Sequence, residues 1–241
     1  MSDYKDIIGT KVTAVSSNPE EPSTGQVWYN TTDAALRYKK ANASGAWSTG
    51  GNLNTGARDR TGLGAQTSAL SFGGRNIGPN AYIANNELYN GSSWTEVGDL
   101  NQQRDNLDSA GTQTAALAFG GGNPSPQGGP TQAAECESWN GSAWTEVNDL
   151  NTAGRLASGC GSSTAAMLMG RYSPSPGNWD LCEHWNGTSW TEVNDLNEGR
   201  YYTGGSGTQG AGILHSGQEG PGTSNMQNTE EFNTSFTVAV S

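Results

Sequence analysis

One phrase recurs through the chain: an aromatic residue, Asn-Gly or a near equivalent, and a second aromatic. The copies are Tyr89-Asn90-Gly91-Ser92-Ser93-Trp94, Trp139-Asn140-Gly141-Ser142-Ala143-Trp144 and Trp185-Asn186-Gly187-Thr188-Ser189-Trp190. A worn copy stands at Phe232-Asn233-Thr234-Ser235-Phe236, and Trp47 marks a partial one upstream. The second aromatics are spaced 94 − 47 = 47, 144 − 94 = 50, 190 − 144 = 46 and 236 − 190 = 46 residues. A repeat of that period demands one small structural unit stacked on copies of itself. Residues present once per unit then hold the fold, and activity is to be sought among those that break the pattern.

The other repeated residues sharpen the unit. In residues 101–150, a polar run from Leu107 to Gln113 precedes the apolar run Ala115 to Phe119, which Gly120-Gly121-Gly122 ends. A Pro- and Gly-rich loop leads to a third run ending at Trp139, and Ala143 to Val147 returns. Four short antiparallel strands per unit follow from this alternation, with Asn140-Gly141 read as a type I′ turn. An Arg opens each unit (Arg58, Arg104, Arg155, Arg200), and a Glu stands two residues before the first aromatic (Glu87, Glu137, Glu183, Glu230). One ion pair per unit is expected from them. With Trp47, Trp94, Trp144 and Trp190, they form the expected structural set.

Only 32% of the residues are apolar and 15% charged, a composition that would suit disorder were the eight Trp not in register. A formal net charge of −11 disfavours nucleic acid, anionic polysaccharide and anionic membranes, and no apolar run is long enough to span a bilayer. Cys136 and Cys182 occupy equivalent places in neighbouring units, too far apart to bridge, and with Cys160 read as small buried fillers. Six Asn-x-Ser/Thr triplets occur, three of them in the Asn-Gly turns, where turn geometry already explains them. His184 and His215 lie in different units, and His215 replaces an apolar strand residue, which suits a core or channel position. Nothing gathers the ligands of a metal site, a catalytic pair or a phosphate loop, so no enzyme and no cofactor are expected.

The order Arg, apolar strand, Gly-Gly, variable loop, Glu-x-aromatic, turn, Trp is similar to the Kelch repeat, one blade of a β-propeller. Gly73-Gly74, Gly120-Gly121, Trp94, Trp144 and Trp190 carry the resemblance, while Gly170-Arg171 and Ser216-Gly217 depart from it. It implies an all-β propeller over residues 25–241: a partial blade at 25–50 and repeats at about 51–100, 101–150, 151–196 and 197–241, five blades in all. The partial blade is expected from strands at Gln26 to Tyr29, Ala35 to Lys39 and Ala46 to Thr49, and Phe236 to Val240 suits a closing strand. Residues 1–24 read as an arm that either docks on a neighbour or packs on its own blade.

The segment from Asn18 to Thr32 resembles one met near the start of bacteriophage structural proteins. With the repeated Trp-Thr-Glu-Val-Asn-Asp-Leu-Asn, the chain is similar to Kelch-like virion proteins of marine phages. That implies a non-enzymatic part of a tail or capsid appendage, made in the host cytoplasm and oligomeric in the particle. The arm would contact other virion proteins, and the propeller host-surface glycans. A carbohydrate-active enzyme and a cellular Kelch scaffold are the alternatives.

In a four-stranded meander, the loops between strands 2 and 3 and the connections between units share one end. The unrepeated residues there are Arg75, Tyr82, Arg171, Tyr172, Trp179, Tyr201 and Tyr202, with the loop Asn123 to Pro130 beside them. They are the candidate sugar-stacking patch; the bland reading is that they pin long loops or face a partner subunit.

Overall fold

A computed structural model describes residues 12–20, 26–38, 47–77, 81–125, 130–173, 178–220, 222 and 224–234. Among them the chain is all-β, without a helix, in several small and mainly antiparallel sheets. It falls into two units, Met1–Thr49 and Gly50–Ser241.

The first unit is one three-stranded sheet of Thr13–Val15 (β1), Val27–Asn30 (β2) and Ala35–Tyr38 (β3). β2 and β3 pair antiparallel as their alternation predicts, but β1 joins β2 in parallel. Asn18 fixes the crossover, its Oδ1 accepting from Trp28 Nε1 at 3.1 Å and Asn30 Nδ2 at 3.0 Å. The strand expected at Ala46 to Thr49 does not form at 47–49, and Trp47 is fully exposed rather than packed like its counterparts. Part of the expected arm thus packs on its own unit through β1; residues 1–11 lie outside the described residues.

Among its described residues the second unit holds four larger sheets in succession, with two two-stranded pairs beside them. Sheet I is a meander of Thr61–Ala65 (β4), Ser68–Phe72 (β5), Asn86–Tyr89 (β6) and Trp94–Glu96 (β7). Sheet II runs Asp108–Thr112 (β8) and Ala115–Phe119 (β9). A side hairpin of Gly122–Pro124 (β10) and Pro130–Gln132 (β11) follows, then Cys136–Trp139 (β12) and Trp144–Val147 (β13). Sheet III comprises Ser158–Ser162 (β14), Ala165–Met169 (β15), Cys182–Trp185 (β16) and Trp190–Val193 (β17). After Arg200–Tyr201 (β18), sheet IV has, among the described residues, the strands Gly204–Thr208 (β19), Ala211–His215 (β20) and Thr229–Asn233 (β22). Gln218–Glu219 (β21) pairs with β18 beside it. Phe236 to Val240 lie outside the described residues. First strands pack in order, β4 on β8, β8 on β14 and β14 on β19.

Apolar residues fill the spaces between sheets. The ring of Trp144 lies 4.7 Å from Phe72 of sheet I, and that of Trp190 lies 5.1 Å from Phe119 of sheet II. Each tryptophan also meets the aromatic across its own hairpin, Trp139 or Trp185. Trp190 Nε1 donates to Cys136 Sγ at 3.1 Å. All three cysteines are buried and free, and burial pushes the Cys136 thiol up to about 12. Amide stitches cross between sheets as well: Gln113 Nε2 donates to the carbonyls of Ala69 and Tyr89, and Gln209 Nε2 to those of Ala166 and Trp185.

The Asn-Gly hairpins differ from the expected type I′ turn. Trp139 pairs with Trp144, leaving four residues in the loop, and Gly141 alone of them has positive φ, at 94°. Asn140 acts through its side chain instead: its Oδ1 accepts from the N–H of Ser142 at 2.9 Å and of Ala143 at 3.0 Å. Asn90 and Asn186 do the same. An Asx side chain thus does what a second left-handed residue would have done. Asn140→Ala is expected to cost about 1 kcal/mol, read as a lower denaturation midpoint without change of slope.

Each of the four repeated glutamates is ion-paired, but only two with the expected arginine, and the arginines come from three different backbone positions. Arg104 and Arg200 pair with Glu137 and Glu230 as predicted. In sheet I the partner of Glu87 is Arg60, at 3.4 Å, while Arg58 is exposed beside Asp59. In sheet III the partner of Glu183 is Arg171, at 2.8 Å, and Arg155 is elsewhere. The place of Arg104 is taken there by Gly154, where a Cβ would lie 2.5 Å from Arg171 Cδ. A small residue where the guanidinium is no longer supplied makes room for one arriving from the other side.

Asp108 ties neighbouring sheets together. Its Oδ1 accepts from Ser109 N and its Oδ2 from Gly159 N of β14, both at 2.7 Å. Desolvation dominates these bonds and raises the carboxyl to about 7. The folded state therefore holds a proton that the unfolded chain releases near pH 4, so this contribution is present below about 4 and lost as pH rises through about 7. Thermal melts between pH 5 and 8 should show stability falling across that window, and the fall should shrink in Asp108→Asn.

Candidate surface site

Opposite the Asn-Gly turns, the connections between sheets meet the loops between second and third strands. Paired backbone positions join them: Arg58 with Arg75, Asp105 with Gly122, Arg155 with Tyr172, and Tyr201 with Gln218. One residue in each connection takes the left-handed conformation: Asp59, Asn106, Leu156 and Tyr202, with φ between 48° and 58°. The strain, of order 1 kcal/mol or more each for such residues, is held by a relay of backbone bonds. Asn106 N donates to Asp59 O, Leu156 N to Asn106 O and Tyr202 N to Leu156 O, at 3.1, 3.1 and 3.0 Å. This relay brings unrepeated side chains from successive sheets beside one another.

Five of the seven expected site residues gather there. Arg75 lies over the ring of Tyr82 at 4.5 Å from its centroid and donates to the Tyr82 hydroxyl at 2.8 Å. Tyr172 meets Tyr201 edge-on at 5.2 Å, and Tyr201 meets Tyr202 at 5.4 Å. Tyr202 is 63% exposed, the most open ring of the group.

Two further members were not expected in the site. Arg155, assigned above to the structural set, lies over the ring of Tyr172 at 4.9 Å, and no ion pair joins it to a carboxylate among the described residues. Asp105 is fully buried, its carboxylate 3.3 Å from Arg75 Nε without hydrogen-bond geometry. Desolvation raises the Asp105 carboxyl, with Asn106, Arg75 and Arg155 opposing it. Tyr82 is raised by burial and then by the Asp105 charge. Asp105 and Arg155 occupy one repeat position that holds Arg58 and Tyr201 in the other sheets, so unlikeness across the repeat was the available signal.

Two expected site residues belong elsewhere. Arg171 is buried in its pair with Glu183, because the departure from Gly-Gly that made it look variable serves the ion pair. Trp179 donates from Nε1 to Ser173 O at 2.9 Å and covers Gly220, where a Cβ would lie 2.5 Å from its Cγ; it clamps loops together. His215 is exposed rather than in a core or channel. His184 has its pKa lowered by burial and stacks edge-on against Phe232 at 5.1 Å. Among the described residues, no three His, Cys, Asp or Glu side chains are grouped as a metal ion would require.

The patch presents the exposed ring of Tyr202 beside the half-buried rings of Tyr172 and Tyr201 and the guanidinium groups of Arg75 and Arg155, while Tyr82 is buried at 4% exposure beneath Arg75. Such a surface binds flat or polyhydroxylated ligands by stacking and hydrogen bonding. No known protein family matches this sequence, and neither does any curated protein.

Proposed function

We propose that this chain is a non-enzymatic structural protein of a phage virion, part of a tail or capsid appendage, whose Arg/Tyr patch contacts host-surface saccharide. The observation that carries the binding reading is the gathering of Arg75, Tyr82, Arg155, Tyr172, Tyr201 and Tyr202 at one end of sheets whose repeated residues hold the fold. The virion reading rests on the resemblance of Asn18 to Thr32 and of the repeats to phage structural proteins.

In this reading each sheet of the second unit is a blade of a Kelch-like propeller. A fifth blade would draw on residues 25–50, where β2 and β3 supply two strands. Stiffness comes from the buried ion pairs and the inter-sheet tryptophans, and specificity from the loops they hold, which are free to differ between units.

Gold-labelled antibody against the chain, applied to purified particles and imaged by electron microscopy, tests the virion role. Label at fixed points on tail or capsid is the expected result. Unlabelled particles beside abundant protein in the infected lysate would overturn it.

A further inference from the structure

Paired positions at the loop end recur from unit to unit, and those beside sheet IV are filled differently from the rest. Backbone pairing sets Arg58 against Arg75, Arg155 against Tyr172 and Tyr201 against Gln218. A second pairing sets Arg75 against Tyr82 and Gln218 against Asn225. In sheet I this second pair closes on itself, since Arg75 covers the Tyr82 ring and donates to its hydroxyl at 2.8 Å. Sheet II uses the same place to start the β10–β11 hairpin, and in sheet III Tyr172 meets both Arg155 and Tyr201. Beside sheet IV two amides, Gln218 and Asn225, stand where sheet I has a cation and a ring. Neither amide makes a side-chain hydrogen bond among the described residues.

These shorter side chains border a cleft of about 410 Å³, lined by Tyr202, Ser216, Gly217, Gln218, Asn225 and Met226. Its size falls in the lower part of the roughly 300–1,000 Å³ range of small-ligand sites. One wall is the exposed ring of Tyr202, the aromatic member of the left-handed set Asp59, Asn106, Leu156 and Tyr202. Across from it by register stands Gly217, with φ of 108°, where only glycine fits. A Cβ there would lie 2.6 Å from Thr203 Cγ2 and 2.8 Å from Tyr201 O. Met226 N donates to Gly217 O at 2.9 Å, which fixes the half-buried methionine as the apolar part of the lining.

An aromatic wall beside two unengaged amides is the combination a pyranose needs. The C–H face of the sugar packs on the tyrosine ring, and its neighbouring hydroxyls each need a donor and an acceptor, which one amide carries together. No Lys or Arg lines the cleft. The residue after Gln218 is the exposed Glu219, in a chain of net charge −11. A carboxylate or phosphate on the sugar would therefore enter without a counter-cation. Arg75 and Arg155 are turned to Tyr82 and Tyr172. The contact of Tyr201 with Tyr202, at 5.4 Å, joins the cleft to the rest of the patch.

Resting on the saccharide reading of the Arg/Tyr patch, we propose that this cleft takes one uncharged pyranose of the bound saccharide. That sugar stacks on Tyr202 and is hydrogen-bonded by the amides of Gln218 and Asn225. The neighbouring sugars run over Tyr201 and Tyr172 toward Arg155. The cleft thereby sets which sugar is accepted, while the rest of the patch adds contact area. Gln218 and Asn225 break no protein hydrogen bond to engage the ligand, so the exchange of water for sugar hydroxyls costs little there.

The test is retention of the full-length protein on immobilised oligosaccharides, some built only of neutral hexoses and N-acetylhexosamines, others carrying hexuronic or sialic acid. Gln218→Ala, Asn225→Ala and Arg155→Ala variants are compared with the wild type. Uncharged saccharides are expected to be retained. Each amide variant should weaken that retention about five- to tenfold, the worth of about one hydrogen bond, while melting as the wild type does. Gln218→Glu, which keeps the shape and removes the donors, should weaken it as well. Retention lost in Arg155→Ala but unchanged in all three amide variants would overturn the cleft and leave the patch reading standing. Retention confined to the acidic saccharides would do the same. No retention by the wild type would overturn both.

Discussion

Glu137→Ala is expected to destabilise the protein by about 3–5 kcal/mol, the usual cost of removing one partner of a buried ion pair. Glu137 is almost fully buried, and its carboxylate accepts from Arg104 at 2.9 Å and from Asn101 N and Nδ2 at 2.7 and 2.8 Å. Its loss strands the fully buried Arg104 and releases the connection that enters sheet II. For a chain of this size such a loss lowers the melting temperature by roughly 6–20 °C. Arg104→Met combined with Glu137→Ala should cost less than the sum of the single changes, since no buried charge is then left alone. Additive losses in a thermal-melt cycle would contradict the pairing. Arg58→Ala, at an exposed side chain with a surface partner, should change stability by less than about 0.5 kcal/mol.

Trp190→Ala is the second large effect, with about 3–5 kcal/mol expected from removing a buried aromatic. The indole is 5% exposed, lies against Phe119 and Trp185, and donates to Cys136. It is the main seal between sheets II and III, so the loss should appear as a lower urea midpoint. Trp190→Phe keeps a ring against Phe119 and should cost less than half as much. Equal losses would mean that the hydrogen bond to sulfur, rather than the packed ring, matters most.

The sheets and their glutamates were legible because the signals are local. A strand needs alternation over a few residues, and a carboxylate on a short side chain must start close to where it ends. Arginine obeys no such limit. Its long side chain brings a guanidinium to the same glutamate from Arg104, Arg60 or Arg171, so position in the repeat misassigned Arg58 and Arg155. The turns were legible in place and not in type, because Asn140 offers both a tolerant backbone and a capping oxygen, and the oxygen is used. The parallel pairing of β1 depends on Asn18 reaching Trp28 and Asn30, contacts that no periodicity announces.

The candidate patch follows the same division. Tyrosines that broke the repeat were visible, and five of the seven expected residues lie at this end in two contact groups, Arg75 with Tyr82 and Tyr201 with Tyr172 and Tyr202. Arg171 and Trp179 broke it for structural reasons, and sequence holds no mark that separates one kind of departure from the other. Asp105 and Arg155 were missed because Arg155 was grouped with Arg104, whereas strand register places it with Asp105, Arg58 and Tyr201, a position at which the units differ.

Binding of the protein and of its Tyr202→Ala and Arg155→Ala variants to an array of bacterial surface saccharides tests the central claim most directly. The account predicts that the wild type retains a discrete set of sugars and that both variants lose them while melting as the wild type does. Retention unchanged by either substitution, or no retention by the wild type, would contradict it.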